Sequence, residues 1–199
     1  DTFGNVTLMN TAGKVCSSRA KIYATGNVTV TGNTSDAIFY DTCQIDTFGD
    51  VTLENTTGNV SITGNTYSSI VGSDLTIGSE THRAGSVTIQ NSTSSSKPVL
   101  GGVVKIYATK DVSISGNTTN SVIGGACTIN TSGDVKIIDD TSAYYSLING
   151  DLTIGSSNVP AKSVEITNTF TPYDGDHSSS YVVNGSAAIY ATGDVSITG

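Results

Sequence analysis

The side chains in this sequence that are suited to acid–base chemistry are few and lie in two short stretches. Asp174, Asp176 and His177 lie in the segment TPYDGDHSSS, and Asp139 and Asp140 are adjacent in KIIDDT. Enzymes that cleave polysaccharides place two carboxyl groups around the scissile bond, one as an acid and one as a base or nucleophile. The first question is therefore whether these carboxylates could form such a site.

Other roles explain the same residues better. Asp139 or Asp140 falls in a row of asparagines that recurs through the chain, which favours a role at a structural corner. The DGD sequence has oxygen ligands of the kind that calcium prefers, but two carboxylates in a loop more often only contact solvent. His82 and His177 lie in separate segments, and the two arginines are Arg19 and Arg83. We therefore predict no enzymatic activity, no cofactor and no metal.

Charge and composition exclude further classes of function. Nine Lys and Arg residues against 17 Asp and Glu give a net charge of −8, and no basic cluster exists that could bind a nucleic acid. The apolar runs are far shorter than the ~20 residues of a membrane-spanning helix, so we expect no membrane insertion. No segment has a helical apolar period, which indicates an all-β protein.

A phrase of about 13 residues occurs three times. KIYATGNVTVTGN at 21–33 is followed by KIYATKDVSISGN at 105–117 and AIYATGDVSITG at 188–199. Such internal repetition indicates an array of stacked structural units.

A shorter unit lies inside each of these blocks. A turn pair such as Gly-Asp or Gly-Asn precedes an alternating apolar stretch, and the stretches begin at Val6, Val28, Val51, Val87, Val112, Val135, Val164 and Val195. A minimal period of 22 or 23 residues is typical of a solenoid in which one turn is one unit. The surplus residues are predicted to leave the solenoid as loops near 59–69, 79–85, 156–162 and 171–180.

Stacking explains how a unit this small is stabilised. Side chains alternate across a strand, so one apolar row faces inward, and a neighbouring turn at about 4.8 Å covers it. In this arrangement Val28 lies beneath Val51, and Val112 lies beneath Val135.

Two further apolar rows predict three short strands per turn and about eight turns. The second row is Ile22, Ile45, Ile77, Ile106, Ile129, Ile154 and Ile189, and the third is Ile38, Ile70, Val99, Val122, Leu147 and Val182. A polar row follows the first strand of each turn, at Asn33, Asn55, Asn91, Asn117, Asp139 or Asp140, and Asn168. Stacked amides in such a row can form hydrogen bonds along the axis.

These motifs, together with SVIGGACTI at 121–129, resemble those of right-handed parallel β-helix (β-solenoid) surface proteins. Autotransporter passengers, polymorphic membrane proteins, repetitive adhesins and sheath proteins belong to this group. The resemblance implies a right-handed parallel β-helix, in agreement with the handedness of parallel crossovers.

Residues 1–199 are expected to form a single β-solenoid domain. Both ends fall inside repeat units, so we expect the chain to belong to a longer repeat array or to be a fibre subunit that self-associates end to end. The expected function is an extracellular structural or adhesive module of a cell-surface fibre, sheath or passenger domain. The alternative is a β-helix polysaccharide lyase or hydrolase, or a carbohydrate-binding protein.

The Thr-x-Thr pattern, as at Thr29 and Thr31, raises ice binding as a further alternative. An ice-binding surface would need a flat lattice of hydroxyl groups, and therefore this pattern on consecutive turns. The same two positions instead hold Thr52 and Glu54, Thr88 and Gln90, Lys136 and Ile138, and Glu165 and Thr167. The interruptions favour an ordinary β-rich surface in which threonine serves strand propensity.

Three tyrosines recur with the long phrase and are candidate surface contacts. Tyr23, Tyr107 and Tyr190 alternate with inward residues, so they are predicted to face outward once per three turns, about 14 Å apart. Outward tyrosines could contact glycans, a host surface or a neighbouring fibre, or they could fill space under a loop.

The compartment is predicted from N-x-S/T sequons, which imply an extracellular or cell-surface glycoprotein if they are used. The candidate acceptors are Asn5, Asn27, Asn33, Asn55, Asn59, Asn91, Asn117, Asn130 and Asn184.

Cys43 and Cys127 occupy equivalent positions three turns apart, too far for a disulfide. A bond between Cys16 and Cys43 stays open, and buried free thiols are the default expectation.

Overall fold

The computed structural model of the chain describes part of its 199 residues. The described residues are 4, 6–10, 20–23, 28–34, 43–46, 60–66, 69–71, 74–78, 80–81, 83–139, 145–169 and 181–199.

Fifteen β-strands occur in the described residues. They are β1 Val6–Asn10, β2 Ala20–Tyr23, β3 Val28–Thr34, β4 Cys43–Asp46, β5 Val60–Thr66, β6 Leu75–Ile77, β7 Val87–Ser95, β8 Val104–Tyr107, β9 Val112–Thr118, β10 Cys127–Asn130, β11 Val135–Asp139, β12 Leu152–Ile154, β13 Val164–Asn168, β14 Ala187–Ile189 and β15 Val195–Thr198. Among the same residues, no helix has the length and apolar character needed to cross a membrane.

The strands form two parallel sheets whose members alternate along the chain. The long sheet has the order β1-β3-β5-β7-β9-β11-β13-β15, and the short sheet has the order β14-β12-β10-β8-β6-β4-β2. Each strand therefore pairs with the strand two elements away in the chain, which is the topology of a coil. The predicted all-β parallel β-solenoid is confirmed, whereas its handedness stays a prediction.

The long sheet corrects the predicted register at one turn. Val28 pairs with Val60, and Val60 pairs with Val87. The segment near 59–69, predicted to be a loop, thus forms β5, and Val51 lies outside the described residues. VSITGNT fits better because it has the same pattern as VTVTGNT of β3, with conservative differences at Ser61 and Ile62, and Gly64 is the Cα partner of Gly32. The predicted stacking of Val112 beneath Val135 is confirmed.

The short sheet has the predicted register throughout. Its central isoleucines are Cα partners from each turn to the next, in the order Ile22, Ile45, Ile77, Ile106, Ile129, Ile154 and Ile189. The side chains of Ile77, Ile106, Ile129 and Ile154 are fully buried, and that of Ile189 on the last strand is partly buried.

The third face differs from the predicted third strand. It is a row of isolated parallel bridges that joins Val71, Leu100, Ile123, Ile148 and Val183. The predicted residues Ile70, Val99, Val122 and Leu147 each precede a bridging residue and are buried beside it. Ile38 lies outside the described residues. A glycine lies within two residues after the bridge at Leu100, Ile123, Ile148 and Val183, as Gly124 and Gly125 follow Ile123.

The predicted number of turns, about eight, also differs from the number of turns that the structure describes without a gap. Residues 83–139 are the longest stretch described without a gap, and they make about three turns. The long sheet nevertheless holds eight strands.

The predicted asparagine row is replaced by a mixed row. Gly116, and not Asn117, is the Cα partner of both Asn91 and Asp139, and Asp139 is the partner of Asn168. A Cβ at residue 116 would lie 2.2 Å from a methyl carbon of Val99, so a larger inward residue does not fit there without a shift. Asn33 pairs with Asn65 one position further along. Asn55 lies outside the described residues.

Candidate functional site

Two loops leave the solenoid at the same corner, between the short and the long sheet. They follow β6 and β12, and each begins at a glycine in the left-handed region, Gly78 with φ 68° and Gly155 with φ 69°. A side chain is strained in this conformation, so glycine allows the chain to turn outward here. Both loops return through an alanine that bridges to the following turn, Ala84 to Ala108 and Ala161 to Ala191.

The first loop places a cation over the corner of the next turns. One Arg83 terminal nitrogen donates to the carbonyl oxygen of Asn130 at 3.0 Å and to its side-chain oxygen at 3.1 Å. It also lies 3.4 Å from the carbonyl oxygen of Ala108. The guanidinium carbon lies 6.0 Å from the ring centre of Tyr107. Arg83 therefore connects three successive turns of the solenoid.

The second loop begins and ends in the same way, with a left-handed glycine and a bridging alanine, but the tyrosine of the following turn is more exposed. Pro160 occupies the position of Arg83, directly before the bridging alanine, and Tyr190 occupies that of Tyr107. Tyr107 is half-buried, whereas Tyr190 is 46% exposed. Of the two candidate contact tyrosines whose side chains are described, Tyr190 is thus the more accessible. Tyr23 ends β2, and its side chain lies outside the description.

Two exposed tyrosines were missed by sequence reasoning. Tyr145 and Tyr181 precede the third face on neighbouring turns and are 56% and 58% exposed. The backbone N–H of Tyr181 donates to the Ser146 hydroxyl at 3.3 Å, which fixes their relative register. The available signal was a tyrosine one or two residues before an apolar pair, in YSLI and YVVN; Tyr181 is in register with Ser146, and Tyr145 lies one residue earlier.

Aspartates at the corners connect each turn to the next. The carboxylate of Asp111 accepts the backbone N–H of Asp134 at 2.9 Å, and that of Asp151 accepts the N–H of Ser186 at 2.8 Å. Asp134 instead accepts from Lys162 at 2.9 Å and from the Ser163 hydroxyl at 2.7 Å. These two bonds lower the pKa of the Asp134 carboxyl, and the same ion pair raises the pKa of Lys162.

The outer face of the long sheet carries hydroxyl and amide side chains on β7 and β9, at Thr88, Gln90, Ser113 and Ser115. On the next two turns this surface changes character. Lys136 of β11 forms an ion pair with Glu165 of β13 at 3.2 Å.

The candidate acid–base residues are not brought together in the described part of the chain. Asp139 is fully buried, and one of its carboxylate oxygens lies 3.4 Å from the backbone N–H of Thr118. A buried carboxylate cannot meet a polymeric substrate, so Asp139 has the predicted corner position. The other candidates lie outside the described residues: Asp140, Asp174, Asp176, His177, His82 and Arg19. Within the described ranges, no group of three or more His, Cys, Asp or Glu is placed to hold a metal ion.

The sequon asparagines differ in accessibility. Asn184 is exposed, and its amide donates to the side-chain oxygen of Asn149 at 2.9 Å. Asn117 and Asn130 are partly exposed, and Asn91 is 1% exposed, so a glycan on Asn91 would displace the core. Side chains of the other acceptors, Asn5, Asn27, Asn33, Asn55 and Asn59, lie outside the description.

Cysteine positions agree with the predicted spacing. Cys43, Leu75, Val104 and Cys127 are partners on successive strands, so Cys43 and Cys127 are three steps of about 4.8 Å apart. Cys127 is a free thiol, and burial raises its pKa to about 12. Cys16 lies outside the described residues.

Comparison with known proteins identified no relative of this chain. No family model matches the chain, and no curated protein or solved structure matches it.

Proposed function

We propose that the chain is an extracellular structural or adhesive β-solenoid module that forms part of a cell-surface fibre, sheath or passenger domain. The observation that carries the proposal is the continuous parallel ladder in both sheets, which runs along one axis. A coil of this kind resists bending and proteolysis, because every turn contributes hydrogen bonds and buried side chains to its two neighbours.

The proposal includes self-association, either end to end or within a longer chain. Stacked parallel strands present backbone N–H and C=O groups along the axis, with which strands of another turn or another subunit can pair.

The surface supports an extracellular location. Hydroxyl and amide side chains are the most frequent class among the exposed residues of the described turns, and Asn184 of the sequon NGS is exposed. In this proposal partners meet the side faces and the loops, and the ladder supplies rigidity.

Carbohydrate binding is the second candidate function. The observation that favours it is the exposure of Tyr145, Tyr181 and Tyr190, since aromatic rings provide an apolar face beside a polar hydroxyl. A glycan array probed with the wild type and with a Tyr145→Ala/Tyr181→Ala variant measures this function separately.

The proposed function is tested by labelling cells of the native source with antibodies against the folded chain. We expect label on intact cells, and electron microscopy should place it along continuous filaments or a sheath. Label that appears after permeabilisation alone would contradict the proposal. Isolated short rods that degrade a polysaccharide would instead favour the lyase or hydrolase alternative.

A further inference from the structure

The corrected register of the long sheet brings hydroxyl residues together on consecutive turns. With Val60 in place of Val51, the interruption expected at Thr52 and Glu54 disappears. One column of Cα partners now contains Thr29, Ser61, Thr88 and Ser113, and the column two residues further along contains Thr31, Thr63, Gln90 and Ser115. These eight positions on β3, β5, β7 and β9 are called the hydroxyl array.

The array is regular in two directions. Its rows repeat at the strand spacing of about 4.8 Å along the axis, and its columns are about 6.6 Å apart, two residues along a strand. The pairing of β3, β5, β7 and β9 continues without a shift across all eight positions, since the one irregularity falls after Asn91. The columns are held in place from behind, because Ile62, Ile89 and Ile114 between them are fully buried.

The array is also free of charge. None of its eight residues is ionisable, although the whole chain carries a net charge of −8. Charge returns at the next turns of the first column, where Lys136 pairs with Ser113 and Glu165 pairs with Lys136, whereas the second column continues with Ile138 and Thr167. An uncharged surface does not select an ionic partner.

The residue types at these paired positions point to ordered water as the ligand. Seven of the eight positions hold a hydroxyl, which can donate one hydrogen bond and accept two, and Gln90 supplies a donor and an acceptor. The array has no aromatic ring of the kind on which a sugar stacks. A regular grid of such residues can hold bridging waters at its own spacing.

We infer that the hydroxyl array is an ice-binding surface, on which rows of bound water continue into the lattice of an ice crystal. The inference goes beyond the proposed structural function, and either can hold without the other. It depends on the observed register, since the arrangement with Val51 would place Glu54 in the second column.

The test measures thermal hysteresis and the fraction of the full chain that a slowly growing ice hemisphere takes up. We expect both to exceed the values for an inert protein of similar size. The variant Thr88→Lys puts a long charged side chain in the middle of the array and should lose most of the uptake. Lysine is structurally acceptable in this column, because Lys136 already occupies it two turns away.

The matched control is Ser196→Lys, which changes an exposed residue of the same column outside the array. We expect its uptake to equal that of the wild type, and circular dichroism confirms that both variants are folded. A conservative Thr88→Ser variant should keep most of the uptake.

Three results would overturn the inference. The first is a folded wild type with no hysteresis and no uptake into ice. The second is equal loss in Thr88→Lys and Ser196→Lys, which would place the activity elsewhere. The third is retention on crystalline cellulose or chitin without retention on ice, which would identify a polysaccharide as the ligand.

Discussion

At the scale of single residues, the closeness of successive turns limits which side chains fit at the corners. Gly133 shows this most clearly, because a Cβ there would lie 2.4 Å from the carbonyl carbon of Lys110 and 2.5 Å from the nitrogen of Asp111. Both atoms belong to the backbone of the preceding turn, so neither can rotate away. Residue 133 is a glycine because the backbones of two successive turns are in contact at this corner.

Replacement of Gly133 by alanine should therefore separate the two turns locally. We expect Gly133→Ala to lower the free energy of unfolding by about 1 to 3 kcal/mol, the usual cost of overpacking. Chemical denaturation measures the loss. The control is Ser132→Ala at the exposed neighbouring position, which should change stability much less, and equal effects of the two variants would contradict the clash.

The ion pair of Asp134 and Lys162 has a defined dependence on pH. Because the pKa of Asp134 is lowered in the folded state, its stabilising contribution is present above its ordinary pKa and is lost as the pH falls through the lowered value. We expect Lys162→Met to move the titration midpoint of the Asp134 carboxyl upward, as measured by carbon-detected NMR. Lys97→Met is the matched control, and an unchanged midpoint in Lys162→Met would show that the pair does not form in solution.

At the scale of the strand, substitutions on the two sides of β11 should differ in their effect on the free energy of unfolding. Ile137 is fully buried between Ile114 and Ile166, whereas the adjacent Ile138 is on the outer side and is partly exposed. We expect Ile137→Ala to cost about 2 to 5 kcal/mol of unfolding free energy, because it leaves a cavity. Ile138→Ala should cost less than about 1 kcal/mol. Denaturant titration of both variants measures the difference, and a reversed order would mean that β11 is inverted.

The strands that the sequence predicts best are those with one dominant apolar pattern. The short sheet was predicted in full because each of its turns offers one isoleucine at a constant position. The long sheet was mispredicted at β5, because VTLEN at 51–55 and VSITGN at 60–65 both alternate correctly. Alternation alone cannot choose between them. The match of Gly64 to Gly32 in the neighbouring strand does, and it becomes visible when the turns are stacked.

Contacts and surfaces that side chains of different turns form together could not be predicted from local sequence patterns. The bond from Arg83 to Asn130 joins residues 47 positions apart, and its length depends on where the loop after β6 returns. The hydroxyl array has the same origin, because it exists only in the correct register. By contrast, the spacing of Cys43 and Cys127 was predictable, since it requires only a count of turns.

At the scale of the whole molecule, stability should be distributed along the axis. Each turn contacts its two neighbours, so contacts are repeated from turn to turn and no central core gathers all elements. Rigidity and exposed side faces both follow from this one arrangement. The proposed function and the hydroxyl array both depend on it.

Methyl-labelled NMR tests this arrangement most directly, through nuclear Overhauser contacts among Ile106, Ile129 and Ile154. These residues are fully buried Cα partners on β8, β10 and β12. Stacked turns predict strong contacts of Ile129 with both Ile106 and Ile154, and none between Ile106 and Ile154, which are two steps of about 4.8 Å apart. Absence of either Ile129 contact, or a direct contact between Ile106 and Ile154 as strong as the other two, would contradict the stacked solenoid.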